Sequence, residues 1–278
     1  MSTPSKAVLV TGCSSGIGHA TAKRLAAAGH KVYATARKAD AIADLAAAGC
    51  TTLALDVTDE ASMQAAVDAV VAAEGAVGVL VNNAGYSQSG AIETVTMDDV
   101  RRQFETNVFG LMRMSQLVLP GMRDQHWGRI INVSSMGANF TFPGGGIYHA
   151  TKYAVEALSD ALRFEVKGFG VEVTIIQPGI IRTNFDKAAV AGITSESGPY
   201  AEFNGAVAKS TADVYEKGML AKLGGDPDAV AKAIESAIAR PKIRVTVTPS
   251  AKLLIGQRKL MTDRIWDRFL ASQFPRPG

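Results

Sequence analysis

The segment that most restricts the fold is an apolar run at residues 7–11, followed by a glycine-rich loop and an alanine-rich helix. An uninterrupted apolar strand is typical of a parallel sheet covered on both faces, because such a strand has no solvent side. The loop contains Gly12, Gly16 and Gly18, and the helix after it is predicted to end near Ala28. We therefore expect a strand, a tight turn and a helix that packs back on the strand.

The same alternation continues along the chain. Further strands are predicted at residues 31–36, 51–55, 77–81, 129–133, 171–176 and 243–247. Helices are predicted at 60–74, at 97–107 with continuation to 119, at 150–168 and at 228–239. This spacing indicates an α/β protein with a doubly wound, seven-stranded parallel sheet of the Rossmann type. No linker or repeat interrupts the pattern, so residues 1–278 are predicted to form a single domain.

The bulk composition excludes several classes of protein. Of the 278 residues, 47% are hydrophobic and 20% are charged, which is ordinary for a globular chain. A net charge of +3 is too small to indicate a nucleic-acid partner. No apolar stretch approaches the ~20 residues of a membrane span. The two cysteines, Cys13 and Cys50, are too few for a disulfide framework, so we expect a cytoplasmic protein.

The glycine-rich loop lies where a dinucleotide pyrophosphate binds in such folds, because backbone N–H groups and a helix N-terminus attract phosphate. Its spacing, Gly-x-x-x-Gly-x-Gly, is wider than the usual Gly-x-Gly-x-x-Gly. The alternative is a turn whose glycines serve only close packing of strand and helix. Candidate cofactor contacts are Gly12, Ser14, Ser15, Gly16, Ile17 and Gly18. Cys13 is interpreted as a small loop residue rather than a reactive thiol.

The end of the second predicted strand bears on the choice of cofactor. An NAD site usually has an acidic residue here to hold the ribose 2′-hydroxyl, but this chain has Ala36 followed by Arg37 and Lys38. Arg37 can contact a 2′-phosphate with both arms of its guanidinium, a contact worth roughly 1.5–3 kcal/mol. This favours NADP(H) over NAD(H). The alternative is a pair of solvated surface cations.

Tyr148 and Lys152 are one helical turn apart, so the phenol and the ammonium share a face. A free phenol titrates near pH 10, and proton transfer near pH 7 requires stabilisation of the phenolate by roughly 4 kcal/mol. A unit charge at about 4 Å, at an effective dielectric of about 20, supplies roughly that much. The pair is therefore a candidate proton donor and its activator. The alternative is an ordinary amphipathic surface pair.

Several motifs in the same order resemble those of the short-chain dehydrogenase/reductase family, in its single-domain branch. They are Thr11-Gly12-x-x-x-Gly16-Ile17-Gly18, Asp56, Asn82-Asn83-Ala84-Gly85, Asn107, Asn132-Val133-Ser134-Ser135, Tyr148-x-x-x-Lys152, and Pro178-Gly179 with Thr183. The resemblance is strong over residues 6–185. A weaker similarity to hydroxysteroid and retinol dehydrogenases carries little information about the substrate.

The resemblance implies roles for individual residues. The catalytic set would be Asn107, Ser135, Tyr148 and Lys152, with Ser135 chosen over Ser134 because the family's serine usually lies thirteen residues before the tyrosine. Asn107 would distort its helix and hold a water, and Asn82 would support the central strands. Further cofactor contacts would be Val57, Asp56, Asn83, Ala84, Gly85, Tyr148, Lys152, Pro178, Gly179, Ile181 and Thr183.

The implied activity is NADP(H)-dependent interconversion of a ketone or aldehyde and its alcohol, with Tyr148 as general acid and base and no metal site. A non-catalytic NADP-binding sensor or scaffold on the same fold is the alternative. A lyase or epimerase would ordinarily use a different acid–base set or a larger substrate domain. The family also implies a homodimer or homotetramer.

Two segments that lack the alternation bear on the substrate. Residues 184–225 have no clean period and are predicted to form a substrate lid, whereas residues 250–278 form a basic, amphipathic C-terminal tail. Candidate substrate contacts are Tyr86, Ser135, Met136, Phe140, Phe142 and Phe185, which predict a hydrophobic substrate; core packing is the alternative for the lid aromatics. The tail is expected to cover the substrate mouth or a neighbouring subunit, with membrane-surface contact as the alternative.

Overall fold

The computed structural model describes residues 3–183, 193, 198–216 and 218–277, without the side chains of 215–219. Seven parallel strands form one sheet in the order β3-β2-β1-β4-β5-β6-β7. The strands are β1 Val8–Val10, β2 Val32–Ala36, β3 Thr51–Ala54, β4 Val79–Asn82, β5 Gly128–Val133, β6 Val171–Gln177 and β7 Arg244–Thr246. The predicted single-domain, Rossmann-type α/β fold is confirmed.

Helices cover both faces of the sheet. They are α1 Gly16–Ala27, α2 Ala43–Ala47, α3 Glu60–Glu74, α4 Met97–Phe104, α5 Gly110–Asp124, α6 Gly146–Val166, α7 Ala201–Glu216, α8 Gly218–Lys222, α9 Pro227–Ala239, α10 Pro249–Leu260 and α11 Asp263–Gln273. A π-helical turn, Glu105–Phe109, joins α4 to α5, and 3₁₀ turns occupy Ala39–Ile42, Met136–Ala138 and Lys167–Phe169. No helix within these described residues is long and apolar enough to cross a membrane.

The core consists of one apolar layer on each face of the sheet. Successive residues of β1 point to opposite layers, with Val8 and Val10 in one layer and Leu9 in the other. Helices α1 and α9 pack on the first layer, through Leu25 and Ile234 among others. Helices α3 and α5 pack on the second layer. This two-sided burial explains why the strands read as continuous apolar runs.

Three differences from the sequence predictions have physical causes. The short turn and helix at 39–47 are absent from the sequence predictions, because the segment is too short to show a helical period of apolar residues. Helix α5 continues past Pro120 to Asp124, because Val118 and Met122 are buried on the sheet and outweigh the lost hydrogen bond. Helix α6 begins at Gly146, four residues before the predicted start, and so includes Tyr148.

The two irregular segments are largely helical. The segment predicted as a lid contains α7 and α8, and its residues 184–192, 194–197 and 217 lie outside the described part of the chain. The tail forms α10 and α11, whose Leu254, Ile255 and Trp266 are buried in a third apolar cluster with Phe140. Its aromatic residues face the protein, which favours the covering role over membrane contact.

Candidate active site

All seven strands are parallel, so their carboxyl ends lie along one edge of the sheet, where the motif residues converge. The strand order changes direction at β1, which lies between β2 and β4. In sheets of this kind a crevice opens at the point where the order changes, outside the carboxyl ends of the strands. The candidate site therefore occupies the position where such folds bind dinucleotides.

The glycine-rich loop, residues 12–18, has a shape that side chains would prevent. Gly12 and Gly16 have φ angles of 72° and 58°, in the left-handed region that favours glycine. A Cβ on Gly18 would lie 2.3 Å from the carbonyl oxygen of Gly12 and 2.4 Å from Nδ2 of Asn83. Part of the alternative interpretation is thus correct, because Gly18 serves close packing.

The start of α1 offers free backbone donors to an anion. The N-cap residue Ser15 makes no side-chain capping hydrogen bond, and the first turn carries no acidic residue. Uncapped N–H groups and the positive end of the helix dipole attract phosphate oxygens. Ser14 and Ser15 are exposed beside them. Cys13 is fully buried, and burial raises the pKa of its thiol to about 12, so the structural interpretation of Cys13 holds.

Asn83 and Thr11 fix this loop against the end of β4. Nδ2 of Asn83 donates to the carbonyl oxygens of Thr11 at 2.9 Å and Gly12 at 3.1 Å. Oγ1 of Thr11 accepts from the backbone N–H groups of Asn83 and Ala84, both at 3.0 Å. The side chain of Asn83 therefore holds the loop, and its contact with a cofactor stays a prediction.

The residues predicted to bind the adenosine half lie on neighbouring strand ends. Arg37 and Lys38 are exposed after β2, and neither makes an ion pair with any described residue. Oδ1 of Asp56 accepts from the N–H and the hydroxyl of Thr58, at 3.0 and 2.8 Å. Val57 is buried, and its carbonyl oxygen would lie 2.4 Å from a Cβ on Gly110, so packing fixes this backbone.

The segment after β6 crosses toward the glycine-rich loop. Methyl Cγ2 of Thr183 would lie 3.2 Å from a Cβ on Gly16, which brings the predicted nicotinamide-side residue next to the loop. A Cβ on Gly179 would lie 2.2 Å from Oγ1 of Thr248, so a glycine is required there. Pro178 accepts a hydrogen bond from the N–H of Met136 at 2.8 Å, and Ile181 is buried.

Ser135, Tyr148 and Lys152 converge at the carboxyl end of β5. The hydroxyl of Ser135 makes a side-chain hydrogen bond with Tyr148 and accepts from the N–H of Gly137 at 3.0 Å. Nζ of Lys152 donates to the carbonyl oxygen of Val133 at 2.9 Å and lies 5.7 Å from the centre of the Tyr148 ring. Oγ of Ser134 is buried without a hydrogen-bond partner among the described residues. The choice of Ser135 over Ser134 is consistent with this geometry.

Asn107 lies in the π-helical turn between α4 and α5, so the distortion expected at this residue is present. Its Nδ2 donates to the carbonyl oxygen of Tyr86 at 2.9 Å and to Oγ1 of Thr151 at 3.1 Å. Its Oδ1 accepts from the N–H of Tyr86 at 3.1 Å and would lie 3.1 Å from a Cβ on Gly85. Nζ of Lys152 would lie 3.8 Å from the same point, so Asn107 and Lys152 flank Gly85 together.

The pKa of Tyr148 is affected most by burial in this structure, and the lowering expected from Lys152 stays a prediction. Burial raises the pKa of Tyr148 to about 12, and the hydrogen bond from Ser135 offsets this only in part. Burial lowers the pKa of Lys152 to about 8, and the charge of Glu156 opposes that shift. Desolvation is thus the largest influence on the pKa of both groups, because burial disfavours the charged form of each. Tyr148 holds its proton at neutral pH.

The residues predicted to contact the substrate have different surroundings. Phe140 is only 2% exposed, and its ring centre lies 5.8 Å from that of Trp266, so it belongs to the tail cluster and presents no free surface. Met136 and Phe142 are partly buried at the edge of that cluster. Tyr86 is half-buried beside Asn107. Phe185 lies outside the described residues.

Three polar residues that support the site were given no role in the sequence analysis. His149 is buried one residue after Tyr148, and each of its ring nitrogens makes a hydrogen bond with the backbone. Gln103 is fully buried and holds the backbone at Tyr86 and Gln88. Glu156 lies one turn beyond Lys152 and accepts from Gln177 and Arg244. The feature of the sequence that could have identified them was a polar residue on the inner face of a helix.

The supporting role expected of Asn82 is confirmed, because its Nδ2 donates to Oδ1 of Asn132 at 3.0 Å.

Comparison with known proteins gives a consistent result. A family model described as short chain dehydrogenase matches residues 6–194. The 3-ketodihydrosphingosine reductase of Bacteroides thetaiotaomicron is 36% identical over 256 residues, which cover 91% of each chain. A crystal structure of a short-chain dehydrogenase from Streptomyces avermitilis is 38% identical, with a TM-score of 0.81 and 95% of each chain covered.

Two further solved structures were described with a bound cofactor. A closed form of serine dehydrogenase with NADP+ is 28% identical, with a TM-score of 0.75, and the match covers 87% of this chain and 94% of that one. A short-chain dehydrogenase/reductase from Burkholderia phymatum with NAD is 26% identical, with a TM-score of 0.80, and the match covers 99% and 97%. The similarity in both cases extends over almost the whole of each chain.

Proposed function

The chain belongs to the short-chain dehydrogenase family and is an oxidoreductase, and on that premise we propose that it interconverts a hydrophobic ketone or aldehyde and its alcohol with NADP(H). The observation that carries this proposal is the convergence of Ser135, Tyr148 and Lys152 beside the distorted helix at Asn107. A protein that merely bound a dinucleotide would have no use for a proton donor in this position.

The residues present suit a nicotinamide dinucleotide. Gly12 and Gly16 give the loop a backbone shape that side chains would prevent, and the start of α1 carries neither a cap nor an acid. The pyrophosphate would rest on the N–H groups of residues 14–18, and Asp56, Ala84, Gly85, Pro178 and Thr183 would contact the rest of the cofactor. The cofactor supplies the hydride when it is bound.

The preference for NADP(H) over NAD(H) rests on the end of β2. Arg37 and Lys38 are exposed cations without a described partner, and an alanine takes the place of the acid that would repel a 2′-phosphate. A paired arginine would have to give up an ion pair before it could bind phosphate, whereas Arg37 is free to do so.

Tyr148 and Ser135 carry the proton chemistry in this proposal. Their hydroxyl groups are hydrogen-bonded to each other and would both contact the carbonyl oxygen, where negative charge develops during reduction. The raised pKa of Tyr148 keeps the phenol protonated, which is the form that reduction requires of a donor. Lys152 holds a position from which it can contact the cofactor ribose and pass on a proton, and Asn107 would hold the water that resupplies it.

The substrate side supports a hydrophobic carbonyl compound. Met136, Phe142 and Tyr86 would line the approach to Tyr148, with Phe185 and the segment 184–225 as the proposed lid. Phe142, Trp266 and Leu270 border a groove of about 430 Å³, which Arg258, Asp263 and Asp267 also line. The name of the relative from Bacteroides thetaiotaomicron states reduction of a keto derivative of dihydrosphingosine, so a long-chain ketone belongs among the compounds to test.

The test is oxidation of NADPH, followed by absorbance, with a panel of hydrophobic ketones and aldehydes, and reduction of NADP+ with the matching alcohols. We expect turnover by the wild type and a loss of at least roughly a hundredfold in Tyr148→Phe, since general acid catalysis contributes about that much. Tyr33→Phe, which removes a hydroxyl that contacts Glu74 near the amino end of β2, is the matched control and should retain activity. Tight NADPH binding without turnover would instead support the non-catalytic sensor, and turnover by Tyr148→Phe would exclude Tyr148 as donor.

We also propose a cytoplasmic homodimer or homotetramer. Phe109 and Met112 near the start of α5, together with Phe164 on α6, are exposed, and Phe164 is 83% exposed. Exposed apolar side chains on these two helices suit contact with a second copy. Sedimentation of wild type and Phe164→Glu tests this, because a charge placed there should dissociate the assembly. A monomeric wild type would contradict it.

A further inference from the structure

His149 is a buried residue that the proposed chemistry does not use. It follows Tyr148 on α6, is 7% exposed, and its ring centre lies 5.8 Å from that of Tyr148. On its other side lies the segment of residues 137–145, which connects β5 to α6. The ring of Phe142 in this segment lies 6.3 Å from His149 and 5.8 Å from Trp266 of the tail.

Both nitrogens of His149 contact the backbone of that segment. Nδ1 lies 2.6 Å from the carbonyl oxygen of Gly137. Because a carbonyl oxygen only accepts, Nδ1 carries the hydrogen, and Nε2 is then free to accept from the N–H of Phe142 at 3.4 Å. Burial lowers the pKa of His149 and so favours the neutral ring that this pattern requires, while hydrogen bonding to the backbone of Gly137 and Phe140 opposes the shift.

The segment is shaped to fit the ring closely. A Cβ on Gly137 would lie 2.6 Å from Nδ1 of His149, and a Cβ on Gly145 would lie 2.9 Å from Nε2. Neither glycine has a positive φ angle, so conformational freedom does not explain them. Close approach of the ring does, since a side chain at either position would displace it.

Gly137 connects His149 to Ser135. Its N–H donates to Oγ of Ser135, and its carbonyl oxygen is held by His149. We propose that His149 is a positioning residue, which fixes Gly137 so that Ser135 faces Tyr148 and fixes Phe142 at the edge of the substrate approach. This inference rests on the proposed carbonyl reduction, because Ser135 matters there as a ligand of the carbonyl oxygen.

Two substitutions separate the two contacts. In His149→Asn the side-chain amide can take the position of Nδ1 and donate to Gly137, whereas in His149→Gln the amide can take the position of Nε2 and contact Phe142. The matched control is His126→Asn, at an exposed residue near the amino end of β5, on the opposite edge of the sheet. His126 has a φ angle of 53°, which asparagine tolerates.

We expect kcat with the best ketone to fall roughly tenfold to a hundredfold in His149→Gln, the range that a misplacement of about 1 Å produces. His149→Asn should recover much of this loss, because it keeps the contact to Gly137. The Kd of NADPH should stay within about twofold of wild type in both, since the cofactor loop lies on other strands. Hydrogen exchange, read by mass spectrometry, should accelerate at residues 137–145 and not elsewhere.

Three results would overturn the proposal. Wild-type kcat in both His149 variants would remove the positioning role. A parallel fall in kcat, NADPH affinity and melting temperature would assign His149 to general stability instead. Unchanged exchange at residues 137–145 would show that the ring does not hold the segment. Failure of the proposed function looks different, because the wild type itself would then bind NADPH and reduce no carbonyl, and exchange alone would decide whether His149 holds the segment.

Discussion

Two regions of the site are built on opposite principles. The glycine-rich loop on the nucleotide side, residues 11–18, depends on the absence of side chains, because backbone approaches backbone at Gly18. The substrate side, formed by residues 136–146 with His149 and the tail helices, depends on large side chains that fill space between segments. Loss of an atom should therefore damage the aromatic cluster of the tail, and gain of an atom should damage the glycine-rich loop.

The largest effect is expected from Trp266→Ala on the substrate side. Trp266 is 5% exposed, and its ring contacts those of Phe140, Phe142 and Phe269. Its truncation should lower the free energy of unfolding of the tail by about 4 kcal/mol and raise the KM for the ketone, while the Kd of NADPH is retained. Trp127→Ala, near the amino edge of the sheet, is the control and should leave that KM unchanged. Loss of NADPH binding in Trp266→Ala would erase the distinction between the two sides.

Gly18→Ala tests the nucleotide side by the addition of a single methyl group. The new Cβ would meet the carbonyl oxygen of Gly12, which is backbone and cannot move aside easily, so the free energy of unfolding should fall by about 3 kcal/mol. NADPH affinity should fall with it. Gly256→Ala is the control, because nothing lies within 4 Å of its Cβ position in α10, and it should be neutral or slightly stabilising. Calorimetry and NADPH titration measure both, and equal effects at the two glycines would contradict the crowding seen at Gly18.

Arg37→Ala should sharpen the comparison without affecting the fold. Removal of a charge-assisted contact to a 2′-phosphate is worth about 2 kcal/mol, which raises the KM for NADPH roughly thirtyfold and leaves the KM for NADH unchanged. Lys38→Ala should have a smaller effect, since a lysine contacts phosphate as a single point charge. Steady-state kinetics with both cofactors measures the change. Equal KM values for NADPH in wild type and Arg37→Ala would return Arg37 to the role of a solvated surface cation.

The smallest effect is expected from Glu156→Gln, which removes a charge that acts on Lys152. Burial lowers the pKa of Lys152 to about 8, and the charge of Glu156 raises it, so Glu156→Gln should lower that pKa further. Lys152 is charged below its pKa, so activity should decline as the pH rises through about 8, and the decline should begin at lower pH in Glu156→Gln. The profile of kcat/KM against pH tests this. Asp160→Asn, which also removes a partner of Arg244, is the control, and an equal displacement there would implicate Arg244 instead.

The lowered pKa of Lys152 also makes the free energy of unfolding depend on pH. Its pKa is lowered from 10.5 to about 8 in the folded protein, so between these values the unfolded chain holds a proton that the folded chain has lost. The free energy of unfolding therefore rises with pH through this window as far as Lys152 is concerned. Lys152→Met, which carries no titratable group, should flatten that part of the stability profile.

Much of the nucleotide side could be predicted from local sequence, because its features are short and repeat known chemistry. The strand–loop–helix unit and the glycines at 12, 16 and 18 come from one contiguous stretch, and α3 begins after Asp59, whose side chain caps the helix. The convergence of Ser135 with Tyr148 followed from the family pattern, not from spacing alone. His149 lay within a recognised motif, but its neighbours on the helix gave no sign of what it contacts.

The sequence by itself determined the alternation of strands and helices, and hence the parallel sheet, because a strand buried on both faces must be apolar along its whole length. It also determined which residue types stand at the strand ends. The tertiary structure alone decided that Phe140 is covered by the tail, that His149 holds Gly137, and that burial raises the pKa of Tyr148. These three depend on the distance between segments far apart in the chain and on the solvent excluded between them, neither of which is encoded in any local pattern.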